Sequence, residues 1–278
     1  MVDCRRRFHR KNILGADETR ALPRIGQVFG SNPSASKPYE EALRDGVREL
    51  GYAEGKNVVC VRRYAEGDKS RIPAILAELV ALGVDVLVVT PTAAHAAKEA
   101  TTVIPIVVPS HADPVKGGLA VSYARPGGNI TGLSSAIPDT EAKRLEFAME
   151  FMPNLKRLGL LREAYPELLS APQITAEENA FEAVARGQGV TVQVYDLKSL
   201  EDVQTAMKIV GRDRIPVMTV FISFFTILHR DRIIGGLAAQ GVPVVSEGRE
   251  AAEAGALLTY SPDFFDLWRR SAAYVDNV

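Results

Sequence analysis

Apolar residues along this chain alternate between two spacings, and the alternation repeats. Pro23 opens 24–29 (RIGQVF), a short apolar run read as the first strand, followed by a loop of small and hydroxylated residues, GSNPSAS at 30–36. Tyr39, Ala42, Leu43, Val47 and Leu50 then fall at i, i+3, i+4, i+8 and i+11, one face of a helix. Gly51 ends it, since glycine tolerates the left-handed backbone just past a helix. A second strand is predicted at 57–64. A helix from Ser70 puts Ile72, Ile75, Leu76, Leu79 and Val80 on one face and stops at Gly83. The run 84–89 (VDVLVV) is nearly all β-branched and apolar, the composition of a strand buried on both faces. A polar loop and short helix at 90–101 lead to a fourth strand at 104–110 (IPIVVPS).

The later half keeps the rhythm. LGLL at 158–161 reads as a strand, a helix is predicted across 175–187, and VTVQVYDL at 190–197 follows its terminal glycines. Another helix begins near Leu200, PVMTVFI at 216–222 is a strand, and a helix across 229–240 precedes VPVVSE at 242–247. Strands alternating with helices imply parallel sheets with helices on both faces, and the right-handed crossover rule makes each half a Rossmann-like α/β layer. The Pro- and Gly-rich stretch RPGGNITGLSSAIPD (125–139) interrupts the alternation and reads as the crossing between two lobes. A second crossing is placed near 256–262, with a helix over 263–278 returning to the first lobe. The expected division is 23–135 with 258–278 against 136–257.

A length of 278 residues agrees with two domains of about 100–200 residues. With 33 Lys+Arg, 34 Asp+Glu and 46% hydrophobic residues, the composition is that of a globular protein. It offers no bulk positive field for nucleic acid, so no nucleic-acid partner is expected. Two cysteines, Cys4 and Cys60, exclude a disulfide scaffold. The longest uncharged apolar run, fourteen residues over 215–228, is shorter than a membrane span. Residues 1–12 (MVDCRRRFHRKN) are basic but no apolar stretch follows, so residues 1–22 are expected to be a disordered tail or a degenerate leader.

Motifs of catalysis are sparse. No G-x-G-x-x-G follows the first strand, and GYAEGKN (51–57) has the wrong glycine spacing, ends in Asn57 and precedes a strand, so it is a helix stop and turn. His9, His95, His111 and His229 form no metal-binding pair, and Cys60 lies within a strand pattern, as a buried inert thiol would. No metal and no cofactor are expected.

In open parallel sheets, ligands bind beyond the carboxyl ends of the strands. Those ends carry Ser31 and Asn32, then Thr90 and Thr92, then Ser110, His111 and Asp113 in the first half. In the second half they carry Arg162 and Glu163, then Ser223, Phe224 and Phe225, then Ser246 and Glu247. The first set is rich in hydroxyls at helix starts, where N–H groups and the helix dipole favour a carboxylate. The same residues are ordinary N-caps, so each has two readings. Glu163 and Glu247 suit an ammonium group or are solvated loop carboxylates. Arg162 suits a carboxylate or is a surface arginine. The adjacent Phe224 and Phe225, and Tyr39, either close over a ligand or pack in the core.

Six stretches carry a family resemblance: LRDGVRELGYAEGKNV (43–58), RYAEGD (63–68), LGVDVLVVTPTAAHAAKEATTVIPIVV (82–108), DPVKGGLAVSYARPGGNITGLSS (113–135), KRLEFAMEFMPNLKRLGLL (143–161) and GVPVVSEGREAAEAGALLTYSPD (241–263). Over about residues 23–278 the chain resembles the substrate-binding proteins of bacterial ABC transporters, the group that includes tryptophan/tyrosine-binding lipoproteins. DPVKGGL with RPGGNITG is the specific combination. The resemblance implies a type I periplasmic-binding fold, in which two α/β lobes joined by hinge crossings close on a small solute. It also implies an extracytoplasmic location and delivery of the solute to a membrane permease, with no chemistry. The chain departs from the family pattern on the second-lobe ligand face, at Arg162-Glu163-Ala164-Tyr165 and Ile222-Ser223-Phe224. It is also expected to be C-terminally shortened, leaving the hinge a strand short.

The expected protein is therefore a monomeric solute-binding component of an ABC-type importer, with an amino-acid-like ligand, aromatic ones included. The ligand set is Ser31, Asn32, Thr90, Thr92, Ser110, Asp113, Arg162, Glu163, Ser223, Phe224 and Glu247. One alternative is a small-molecule enzyme on the same fold, for which His111 with Asp113 is the candidate pair. The other is a degenerate relative that binds nothing.

Overall fold

The computed structural model of the chain describes residues 22–135, 137–164 and 181–278. The expected tail, up to residue 21, lies outside the described residues, as does the start of the helix predicted at 175–187, of which 181–187 are helical. The fold divides into two units. One gathers the described residues up to Ser135 with Asp263–Val278, and the other holds those between Ala136 and Pro262.

The first unit is a five-stranded parallel sheet of β1 (Arg24–Phe29), β2 (Val59–Tyr64), β3 (Val86–Val89), β4 (Ile106–His111) and β5 (Ile130–Ser134), in the order β2-β1-β3-β4-β5. Its helices are α1 (Pro33–Glu49), α2 (Ile72–Ala81), α3 (Ala94–Ala100) and the C-terminal helix Phe264–Asp276. Successive side chains of a strand point to opposite faces. Val86 and Val88 accordingly join Leu43, Val47, Trp268 and Ala272 in one core layer, while Leu87 and Val89 join Leu76, Leu79, Ala94 and Ala97 in the other. Both faces are covered, which is why this strand reads as an unbroken apolar run. Cys60 is half-buried on β2, and desolvation pushes its thiol up to about 11, keeping it protonated.

The second unit repeats the plan. β6 (Arg157–Glu163), β7 (Thr191–Leu197), β8 (Met218–Val220), β9 (Val244–Ser246) and β10 (Leu258–Thr259) form a parallel sheet in the order β10-β9-β8-β6-β7. Around it lie α4 (Ile137–Phe151), α5 (Leu200–Asp213), α6 (Phe224–Leu228), α7 (Arg230–Ala239) and α8 (Arg249–Glu253). In each sheet the first strand in sequence lies between the second and the third.

Two expectations are corrected. The 125–139 stretch is not wholly a crossing, for it contains β5, paired with β4 through Ile106↔Ile130, Val107↔Thr131 and Val108↔Gly132. Gly132 hides the strand from a pattern reading, yet a Cβ there would stand 2.0 Å from the Val108 carbonyl oxygen, so the close approach requires glycine. The return to the first unit comes after Pro262 rather than at 258, because Leu258 and Thr259 pair with Val245 and Ser246 of β9. The helix expected across 229–240 is α7, and a short helix that the pattern did not announce, α6, precedes it, started by a capping box at Ser223 and Thr226 and ended where His229 leaves helical geometry. Among the described residues, no helix is long and apolar enough to cross a membrane.

Candidate functional site

The shared strand order creates a crevice site in each unit. Where the third strand lies beside the first, the two following connections leave for opposite faces, and the gap beyond the carboxyl ends admits a ligand. In the first unit this point lies between β1 and β3, and in the second between β6 and β8.

In the first unit, β1, β3 and β4 are neighbours with parallel ends, so Ser31, Thr90 and Ser110 lie along the same edge of the sheet. Ser31 is buried and its Oγ lies 2.7 Å from Ser36 Oγ, inside the first turn of α1. Asn32 is the N-cap of α1, with Oδ1 accepting from Ala35 N–H at 2.9 Å. Pro33 adds no N–H, so this helix start offers an anion less than its position suggests. Thr90 and Thr92 differ. Thr90 is buried, its Oγ1 lies 3.5 Å from Thr92 Oγ1, and neither the 3-10 turn at Pro91–Ala93 nor α3 uses a side-chain cap. Ser110 is buried at the end of β4.

Asp113 turns the chain after β4. Its Oδ1 accepts from Val115 N–H and Lys116 N–H, both at 3.0 Å. Burial, the largest influence, pushes its pKa up, but hydrogen bonds from Lys116, Tyr123 and Val115 and the Lys116 charge together hold the carboxyl below its usual range. Desolvation, with repulsion from His95 and against the pull of Asp113, lowers His111 to about 4, so the imidazole is neutral. Its Nδ1 has no hydrogen-bond partner. The pair considered for catalysis is therefore not joined by the hydrogen bond that orients a base.

In the second unit, Arg162 pairs with the neighbouring strand, with Nε 2.7 Å from Asp196 Oδ1. Register places Arg162 directly opposite Asp196. Glu163 ends β6, and its Oε2 accepts from Phe225 N–H at 3.4 Å. Ser223 caps α6 through Thr226 N–H at 3.1 Å. The Phe224 side chain lies outside the described residues, and Phe225 packs edge-on against His229. Tyr39 is half-buried and packs on Phe265 and Trp268 against the core of the first unit. Glu247 is 4% exposed, not a solvated loop carboxylate, and its Oε1 accepts from Ile222 N–H at 3.2 Å.

Two residues escape the strand-end reading. Glu141 and Arg144 of α4 are buried, Arg144 at 1% exposure, and Arg144 Nη2 lies 3.9 Å from Glu141 Oε1 and 3.8 Å from Glu247 Oε1. Their signal is in the spacing: Glu141, Arg144, Leu145 and Ala148 fall at i, i+3, i+4 and i+7, all buried, so two charges occupy the core-facing stripe of a helix. Among the described residues no group of three His, Cys, Asp or Glu is gathered to hold a metal ion.

Comparison with known proteins adds the following. A profile of the family described as ABC transporter substrate binding protein matches residues 27–278. A tyrosine-binding protein of Clostridioides difficile (strain R20291) is 30% identical over 166 residues, 58% of this chain and 46% of that protein, so the match spans just under half of that relative. A conserved domain protein from Vibrio cholerae O1 biovar El Tor superposes with a TM-score of 0.80 at 25% identity, covering 92% of this chain and 84% of that one. An ABC domain in complex with L-Trp from Streptococcus pneumonia superposes with a TM-score of 0.78 at 21% identity, with the same coverage of 92% and 84%.

Proposed function

The chain belongs to the ABC transporter substrate-binding protein family, and from that premise we propose that it is the solute-binding component of an ABC-type importer for an amino acid with an aromatic side chain. Its two parallel-sheet α/β units have the fold of type I periplasmic binding proteins. The observation that carries the proposal is the contrast between the two sets of strand ends. Those of the first unit present neutral hydroxyls, Thr90, Thr92 and Ser110, beside an Asp113 carboxylate already taken up by the Val115 and Lys116 N–H groups, and those of the second present carboxylates, Glu163 and Glu247. Hydroxyls and helix N–H groups favour a carboxylate, while the half-buried Glu163 and the buried Glu247 favour an ammonium group. Each unit by itself thus suits one kind of charged group that an amino acid carries, the first a carboxylate and the second an ammonium.

The side-chain preference takes its support from two relatives, one a tyrosine-binding protein and one solved with L-Trp. In this reading the protein works outside the cytoplasm, hands its solute to a membrane permease, acts as a monomer and performs no chemistry. That His111 Nδ1 has no partner while the Asp113 carboxylate binds backbone N–H groups instead supports the reading without catalysis over the enzyme alternative.

Thermal unfolding with added solutes tests the proposal. A ligand at a hundred times its dissociation constant stabilises the folded state by about 2.7 kcal/mol. L-Tyrosine, L-tryptophan or L-phenylalanine should raise the midpoint, and glucose should not. A folded protein whose midpoint none of these amino acids moves would overturn the reading.

A further inference from the structure

A fully buried arginine is rare, because taking a guanidinium out of water costs several kcal/mol unless charges and hydrogen bonds compensate. Arg144 is the largest fully buried side chain of the described residues, so its surroundings must repay that cost. One edge is anchored: Nη1 donates to the Tyr260 carbonyl oxygen, just past β10, at 3.1 Å. The opposite edge is not saturated. Nε and Nη2 have no hydrogen-bond partner, and Nη2 stands 3.8 Å from Glu247 Oε1 and 3.9 Å from Glu141 Oε1. At this burial a charge pair interacts strongly without direct contact, because little water screens it. Glu247 Oε1 also accepts from Ile222 N–H, just past β8. One guanidinium on α4 thus ties together the loops beyond three adjacent strands, β8, β9 and β10. Among the described residues, both contacts of Glu247 fall on Oε1, which leaves Oε2 for a ligand.

We propose that Arg144 is the positioning residue that fixes the Glu247 carboxylate, through Oε1, so that Oε2 meets the ammonium group of the solute. The inference rests on the reading of Glu247 as an ammonium ligand. Arg144 itself does not touch the solute, and its part is orientation.

The experiment compares dissociation constants for amino acids and their desamino counterparts, by calorimetry, on the full chain. The probe pairs are L-tyrosine with 3-(4-hydroxyphenyl)propanoate and L-tryptophan with 3-(indol-3-yl)propanoate. The quantity read is the ratio within a pair, which reports recognition of the ammonium group alone. A charge-assisted hydrogen bond to that group gives wild type a preference of about tenfold or more. Glu247→Gln should bring the ratio close to unity. Arg144→Met should do the same, with no further loss in the double variant. Arg144→Lys, which restores the charge without the Tyr260 anchor, should recover part of the preference and serves as the foldable variant if Arg144→Met does not fold.

Folded Arg144 variants that keep the wild-type ratio while Glu247→Gln loses it would overturn the positioning role and leave the Glu247 reading intact. A lowered unfolding midpoint with an unchanged ratio is that same negative result, a structural role only. Glu247→Gln with an undiminished ratio would overturn the Glu247 reading, and this inference with it. Wild type that binds neither member of either pair overturns both.

Discussion

A hydroxyl or carboxylate at a strand end can cap a turn or meet a ligand, and one oxygen rarely does both well. Asn32, Asp113 and Ser223 each accept backbone N–H bonds that start a helix or turn, so their chemistry is largely taken. Thr90 and Thr92 precede or sit in a turn that uses no side-chain cap. Thr92→Ala and Ser110→Ala should therefore weaken amino-acid binding by about three- to tenfold each, the worth of a hydrogen bond, and leave the ligand-free unfolding midpoint nearly unchanged. Titration calorimetry beside thermal unfolding checks this, and wild-type binding by both variants would move the site away from β3 and β4. The pattern Ser/Thr after an apolar run was readable in the chain. Which oxygens the backbone claims was not, because that depends on the dihedral angles of the first turn. Arg144 was missed for another reason: a charged residue on a helix signals the surface unless its place in the apolar stripe is counted.

Among the elements, β3 was legible because burial on both faces leaves a pure apolar run, and α1 because its buried face recurs at helical spacing. β5 was not, since it is the edge strand, only Ile130 is buried, and Gly132 breaks its pattern. Close packing of α1 on the C-terminal helix is likewise written in a single residue. A Cβ at Gly46 would stand 2.0 Å from the Arg269 carbonyl oxygen, backbone that cannot rotate away. Gly46→Val should push the helices apart and destabilise the protein by about 1–3 kcal/mol. Urea unfolding followed by the fluorescence of Trp268, buried in that same layer, reads the loss, and an unchanged midpoint would contradict the packing.

At the scale of the whole molecule, acid stability reports how deeply the β4 end is buried. His111 falls from an ordinary 6.5 to about 4 chiefly through desolvation, with His95 lowering it further and Asp113 opposing. Between those values the unfolded chain binds a proton at this site that the folded chain refuses. Stability therefore rises with pH across this window and is lost as pH falls from about 6.5 to about 4, by at most about 3 kcal/mol from this group. The difference between wild-type and His111→Gln unfolding free energies, followed from pH 7 to pH 4, isolates that contribution from the other titrating groups. A flat difference would mean that the imidazole is solvated.

By itself, the chain's periodicity determined that strands and helices alternate, that the sheets are parallel, and that a break falls near the middle. These features follow from local spacing and from which faces must be buried, so they are legible one residue after another. Its quoted motifs carried the family resemblance. Only the tertiary structure decided that both sheets share one strand order, that Leu258 and Thr259 belong to the second sheet, and that Arg144, Tyr260, Glu247 and Ile222 form one connected set. Arg144 and Tyr260 are 116 residues apart, and nothing local in the chain records a contact made by folding alone.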